Sequence, residues 1–176
     1  MNTFDVRFWW NYLKFLPFGN TLFSFFLGLV VPYTGSLRAK VLTIDSYTDE
    51  SHVRVQMKDH WFLRNHIRCF HAAALANLME LTGSLALLSV MPGDMACIIT
   101  TVTCSYLKKA RGTLVAECVG DSPIEGPHQC RVYIKNSRGE LVAEGKCFFQ
   151  VKLKKPRGWF FNSEREERPD VIDRPW

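Results

Sequence analysis

The chain has 176 residues and a formal net charge of +5 at pH 7. At 47% hydrophobic and 22% charged it can fill a core, which excludes disorder throughout, and eleven Gly with eight Pro exclude a collagen-like sequence. A pI near 8.9 falls short of the basic stripe of a dedicated nucleic-acid binder, so no nucleic-acid partner is expected.

Residues 4–31 carry aromatics and leucines at three- and four-residue spacing, broken at Pro17-Phe18-Gly19-Asn20. This pattern predicts two short helices, the second ending at Val31, followed by a turn at Pro32–Gly35. Leu37–Ile44 and His52–Lys58 read as a strand hairpin; Val53, Val55 and Met57 alternate with polar residues in the second. Residues 59–68 read as a polar loop. A long apolar helix is expected over Phe70–Val90, stopped by Pro92-Gly93-Asp94. Its alanines, Ala72, Ala73, Ala74 and Ala76, are expected to let a sheet approach closely. Four strands follow, at Ala96–Lys108, Gly112–Gly120, His128–Lys135 and Leu141–Leu153. The turn Asn136-Ser137-Arg138-Gly139 places Gly for positive φ. From Lys154 onward about half the residues are charged, so that tail is expected to be largely disordered.

The Cys69–Gly93 stretch is long enough to span a membrane, but its polar residues and alanines favour a helix wrapped inside a domain. A helix apolar on nearly all sides is wrapped most simply by a curling antiparallel sheet, which gives an α+β domain. Six cysteines without a CxxC pair read as free thiols rather than a metal site. MNTFDVRFWW has no secretory pattern. The expected location is cytoplasmic, with a mitochondrial or other organellar one as the alternative.

Glu80 is the one formal charge within the apolar helix. A carboxylate buried without a partner costs several kcal/mol, so a tuned base or nucleophile in an apolar cleft is one reading and a hydrogen-bonded core Glu the other. The amides around His71, Ala72 and Ala73, at the helix start, lack intrahelical partners and form a natural oxyanion site. His71 and Asn65 are polar candidates beside them; helix entry and loop capping are their bland readings. Ala72 and Glu80 are eight residues apart, hence roughly 12 Å along one helix at ~1.5 Å per residue. One small carbonyl cannot touch both, so a shared role requires two copies of the chain.

The run Asn65-His66-Ile67-Arg68-Cys69-Phe70-His71-Ala72-Ala73, followed by Glu80, resembles the Asn-x-x-Gly-x-x-His-Gly-Gly…acid pattern of hotdog-fold thioesterases, in the branch acting on phenylacetyl- and medium- or long-chain acyl-CoA. Tyr106–Gly112 and Gly139–Glu144 are similar to that family's later strand bend and last hairpin. The likeness covers residues 37–153, and the N-terminal helices with Pro32-Tyr33 resemble those of one hotdog subgroup. It implies a long central helix wrapped by a curved antiparallel sheet, with three regions: a helical cap (1–36), the hotdog domain (37–153) and the tail (154–176).

The resemblance also implies an acyl-CoA thioesterase, with a homodimer or dimer of dimers and no cofactor or metal beyond the CoA of the substrate. In it, Ala72 N–H polarises the thioester carbonyl and Glu80 of the other subunit activates water or attacks directly. Asn65 holds water or carbonyl, and His71 orients the loop. Arg68, Ala73, Thr100, Lys108, Lys109 and Arg111 fall on substrate-binding positions. Three departures stand out: Arg68 for the first Gly, Ala72-Ala73 for the Gly pair, and no clear Ser or Thr on the following strand, where the register falls near Ile99 or Thr100. They keep open a non-catalytic acyl-CoA or lipid binder. Hydratase chemistry is less well matched, since no His follows Asp94 until His128. The aromatic N-terminus (Trp9, Trp10, Phe15, Phe18, Phe23, Phe25, Phe26) suits either packing or peripheral membrane contact.

Overall fold

A helix of 19 residues with leucine, methionine and alanine on most of its surface must find a partner surface on several sides. In the computed structural model, which describes residues 5–47 and 49–154, that partner is one six-stranded antiparallel sheet. The elements run α1 (Val6–Leu13), α2 (Gly19–Val30), α3 (Pro32–Gly35), β1 (Lys40–Ser46), β2 (Glu50–Met57), α4 (Ala72–Val90), β3 (Met95–Tyr106), β4 (Leu114–Asp121), β5 (Gly126–Asn136) and β6 (Leu141–Leu153). The sheet order is β1-β2-β4-β5-β6-β3, so β1 and β3 are its two edges. This is the expected α+β hotdog architecture with added N-terminal helices. Every expected strand is present, and the predicted β1–β2 hairpin pairs antiparallel.

Alternation in β4 (Leu114, Ala116, Cys118 and Gly120 inward) and in β2 (Ser51, Val53, Val55 and Met57 inward) supplies the face that covers α4. Of the four alanines at the start of α4, Ala74 is buried in the core and Ala76 half-buried, but Ala72 and Ala73 do not make the close approach that the sequence suggests. Both are exposed. The close approach is made further along, where Ala86 lies against Gly120: a Cβ on Gly120 would stand 2.9 Å from the Ala86 carbonyl. Gly145 does the same for Met79, whose sulfur would stand 2.6 Å from an added Cβ. Ser51, fully buried, donates its hydroxyl to the Ala86 carbonyl at 2.8 Å. Gly139 has φ +78° in the β5–β6 turn, as its position predicts. All six cysteines are free thiols.

Four local differences have physical causes. Pro32–Gly35 is a helical turn rather than a simple turn, because Pro at the first helical position needs no N–H partner. Trp61–Leu63 forms a 3-10 turn inside the expected loop, capped by the His60 ring, which accepts from Phe62 N–H. The apolar helix begins at Ala72, two residues after the predicted Phe70, because His71 caps it. The strand β1 begins at Lys40 rather than Leu37, after Arg38 takes a left-handed φ of +50°. The predicted tail lies, from residue 155 on, outside the described residues.

The N-terminal helices share the central core. Trp10 and Phe23 are buried and meet edge to face, 5.1 Å between centroids. Thr34 of α3 donates to the buried Asn77 side chain of α4 at 3.0 Å, tying the cap to the central helix. The aromatic N-terminus divides accordingly: Trp10 and Phe23 pack inward, while Phe15 and Phe18 are 82% and 84% exposed. By length and composition α4 could cross a membrane, but most of its apolar window is buried within the protein.

Two outcomes follow from these contacts. Gly120→Val should lower unfolding free energy by about 1–3 kcal/mol in urea titrations, since the added carbons meet helix backbone that cannot swing aside. Asp59 accepts from Arg64 Nε at 2.8 Å, and that bond, opposed by burial and aided by Gly112 N–H, holds its carboxyl below the usual carboxylate range. Its contribution is therefore complete above about pH 4, the unfolded pKa, and fades as pH falls through the lower folded value. Wild type should lose more stability than Asp59→Asn between pH 5 and pH 3.

Candidate functional site

The segment from Asp59 to His71 crosses from β2 to α4, and its polar groups are almost all used to hold its own shape. Asn65 Oδ1 accepts from Ile67 N–H at 3.1 Å and Cys69 N–H at 3.2 Å, an Asx-type turn. Its Nδ2 lies 3.2 Å from Cys69 Sγ. Arg68 sits at φ +56°, the left-handed conformation that a glycine would fill without strain. The segment after β3 locks this loop from the side. Ala110, buried, accepts from Phe70 N–H at 3.0 Å, and Arg111 donates to the carbonyls of Arg68 and Ile67 at 3.2 and 3.3 Å. Arg111 is thus a loop clamp rather than a free phosphate ligand.

His71 is the N-cap of α4. Its Nδ1 accepts from Ala73 N–H at 3.1 Å, which leaves the ring proton on Nε2 in the neutral form. His71 N–H itself donates to the Leu63 carbonyl at 2.8 Å, so two of the three candidate oxyanion amides are spent. Ala72 N–H, exposed at the first helical position, keeps no hydrogen-bond partner among the described residues. Ala72 lines, with Asn65, Tyr106, Lys108 and Lys109, a small cleft of about 270 Å³. The α4 dipole adds positive potential there.

Tyr106 is the residue that sequence reasoning missed. Its hydroxyl donates to the Ala72 carbonyl at 3.1 Å, across 34 positions in sequence. Partial burial, then the neighbouring Cys104 side chain, push the phenol up to about 12, so it remains a neutral donor. No local pattern could have marked it, since the contact depends on where β3 ends relative to α4. Lys108 pairs with Glu140 at 3.3 Å in solvent, which spends part of its charge, whereas Lys109 is exposed.

Other expected site residues stand apart. Glu80 is not the buried, isolated charge that the sequence suggests. It is exposed, on the strip of α4 that the sheet leaves uncovered together with Ala72 and Ala73. It does not line the cleft at Ala72. Thr100 is exposed at the β3 bulge and donates to the Phe148 carbonyl at 3.2 Å, also away from that cleft. One chain therefore assembles Asn65, Ala72, Lys108 and Lys109 but not Glu80. Among the described residues no His, Cys, Asp and Glu cluster could hold a metal ion.

The comparisons with known proteins agree with this architecture. A genomics target of known crystal structure superposes with a TM-score of 0.69 at 22% identity, covering 86% of this chain and 99% of its own. A thioesterase from Haemophilus influenzae gives a TM-score of 0.64 at 13% identity, with 74% and 91% covered. A hypothetical thioesterase from Streptococcus pneumoniae, solved with coenzyme A, gives 0.59 at 17% identity, with 73% and 99% covered. At these identities the likeness establishes the hotdog fold. No curated protein sequence matches the chain. The family model described as a domain of unknown function, DUF4442, matches residues 19–151, from α2 through nearly all of β6, and the chain belongs to that family.

Proposed function

We propose that the protein is an acyl-CoA thioesterase whose active sites form between two copies of the chain. The observation that carries this reading is the unpaired Ala72 N–H at the positive end of α4, in a cleft bordered by Asn65, Tyr106, Lys108 and Lys109. A backbone donor so placed suits the oxyanion that develops when a thioester carbonyl is attacked. Glu80 of the partner subunit supplies the base. It takes a proton from water, the oxygen adds to the carbonyl carbon, and the C–S bond breaks. CoA leaves as a thiolate that is then protonated. Lys109, with Lys108, borders the side where CoA phosphates would approach.

The edge strand β3 supports the dimer. It has 12 residues, pairs among the described residues only with β6 and exposes Ile98, Thr101 and Thr103. Long, unpaired edges of this kind are templates for a second copy. A second reading is a non-catalytic acyl-CoA binder, favoured by Asn65, whose carboxamide oxygen already accepts two loop amides.

Ala72→Pro is a selective test, because proline is tolerated at the first helical position and removes only the N–H. Free CoA release from palmitoyl-CoA should fall about 10²–10³-fold in this variant. Glu80→Gln should lower kcat by about 10²–10⁴-fold. Mixing the two inactive variants under subunit exchange should restore about a quarter of wild-type activity, since half the dimers are mixed and each has one intact site. Tight palmitoyl-CoA binding with no CoA release from wild type would establish the binder instead.

A further inference from the structure

A second and larger cleft, of about 710 Å³, lies at the opposite sheet edge, between α2–α3 and the start of β1 and end of β2. It shares no lining residue with the cleft at Ala72. Its wall exists because two glycines meet: a Cβ on Gly35 would stand 2.5 Å from the Gly28 carbonyl, so α3 folds directly back on α2. The buried side chains of Leu27, Leu37 and Leu63 line its apolar part. Phe25 and Leu29, 62% and 61% exposed, also border it and carry its apolar surface out onto α2.

The polar part of the cleft has one predominant sign. Arg38, Lys40 and Lys58 line it, Arg38 and Lys58 exposed and Lys40 half-buried. None of the three has an ion-pair partner among the described residues, whereas Arg54, Arg64, Lys108 and Lys135 each pair with a carboxylate. Asp59 also borders the cleft, but Arg64 already engages it at 2.8 Å. Three cations thus border an apolar cleft of ligand-binding size, and the one carboxylate beside them is already engaged by Arg64.

We propose that this cleft binds a single-chain amphiphile with an anionic head, the aliphatic tail against Leu27, Leu37 and Leu63 and the head among Arg38, Lys40 and Lys58. This requires no hydrolysis and stands whether or not the site at Ala72 is catalytic. A fatty carboxylate and a single-chain phosphate share this chemistry, and the ratio of their affinities identifies the head.

The test is calorimetric titration of the full chain with palmitate, hexadecyl phosphate, butyrate and dodecyltrimethylammonium, each below its micellar concentration. Palmitate or hexadecyl phosphate should bind at one per chain, and butyrate and the cationic amphiphile at least tenfold more weakly. The combined variant Arg38→Asn, Lys40→Gln, Lys58→Gln should weaken anionic-amphiphile binding at least tenfold with an unchanged circular dichroism spectrum. Asn is chosen because it tolerates the positive φ at position 38. Should that variant not fold, Lys58→Gln alone should weaken binding, while Arg131→Gln, an exposed residue of β5, should not. The proposal is overturned if neither anionic amphiphile binds, if the cationic one binds as tightly, or if Lys58→Gln and Arg131→Gln have equal effects.

Discussion

The covering of α4 by the sheet is the constraint on which the rest of the molecule depends. The helix is too apolar to stand in water, and β2, β4, β5 and β6 close around it. The fit is set by backbone as much as by side chains, at Gly120 against Ala86 and at Gly145 beside Met79. Because the wrap has two edges, it leaves one strip of helix open. Ala72, Ala73 and Glu80 lie on that strip. These residues face outward because the sheet stops short of a closed barrel.

A second consequence concerns hydrogen-bond accounting at the start of α4. An α-helix offers unpaired N–H groups at its first turn. Here the His71 ring takes the amide of Ala73, and Ala72 keeps its own. The neighbouring loop is over-determined by Asn65, Arg111 and the carbonyl of Ala110, so its polar side chains serve its conformation. Alanine at 72 and 73 keeps both backbone N–H groups, that of Ala72 unpaired and that of Ala73 spent on His71, since both residues sit in ordinary helix. Arg68 is less neutral, for it holds a left-handed turn that costs an L side chain energy.

The N-terminal helices extend the core and add a cleft. Trp10 and Phe23 seal them to the main body, while the Gly28–Gly35 contact folds α3 back over α2. The two clefts occupy opposite edges of one sheet and differ in character. The smaller is lined by the first residue of α4 with Tyr106, Lys108 and Lys109, the larger by apolar side chains and three cations without an ion-pair partner among the described residues.

Element order, the β1–β2 hairpin, the Gly139 turn and the long central helix were legible in the sequence because they rest on local periodicity and turn chemistry. So was the spacing of Asn65, His71 and Glu80. Local spacing could not tell which face of α4 the sheet would cover. Glu80, read as a buried charge, proved exposed, and of the alanines read as the contact face Ala72 and Ala73 lie outside it while Ala74 is buried. Nor could it show that Arg111 clamps the loop, that Tyr106 reaches Ala72, or that Arg38, Lys40 and Lys58 share one cleft. Those facts depend on distances between segments far apart in the chain, which only the packed sheet and helices fix. The sequence by itself determined which groups the protein has and their order; the tertiary structure decided which of them are spent on holding the fold and which stay free to meet a ligand.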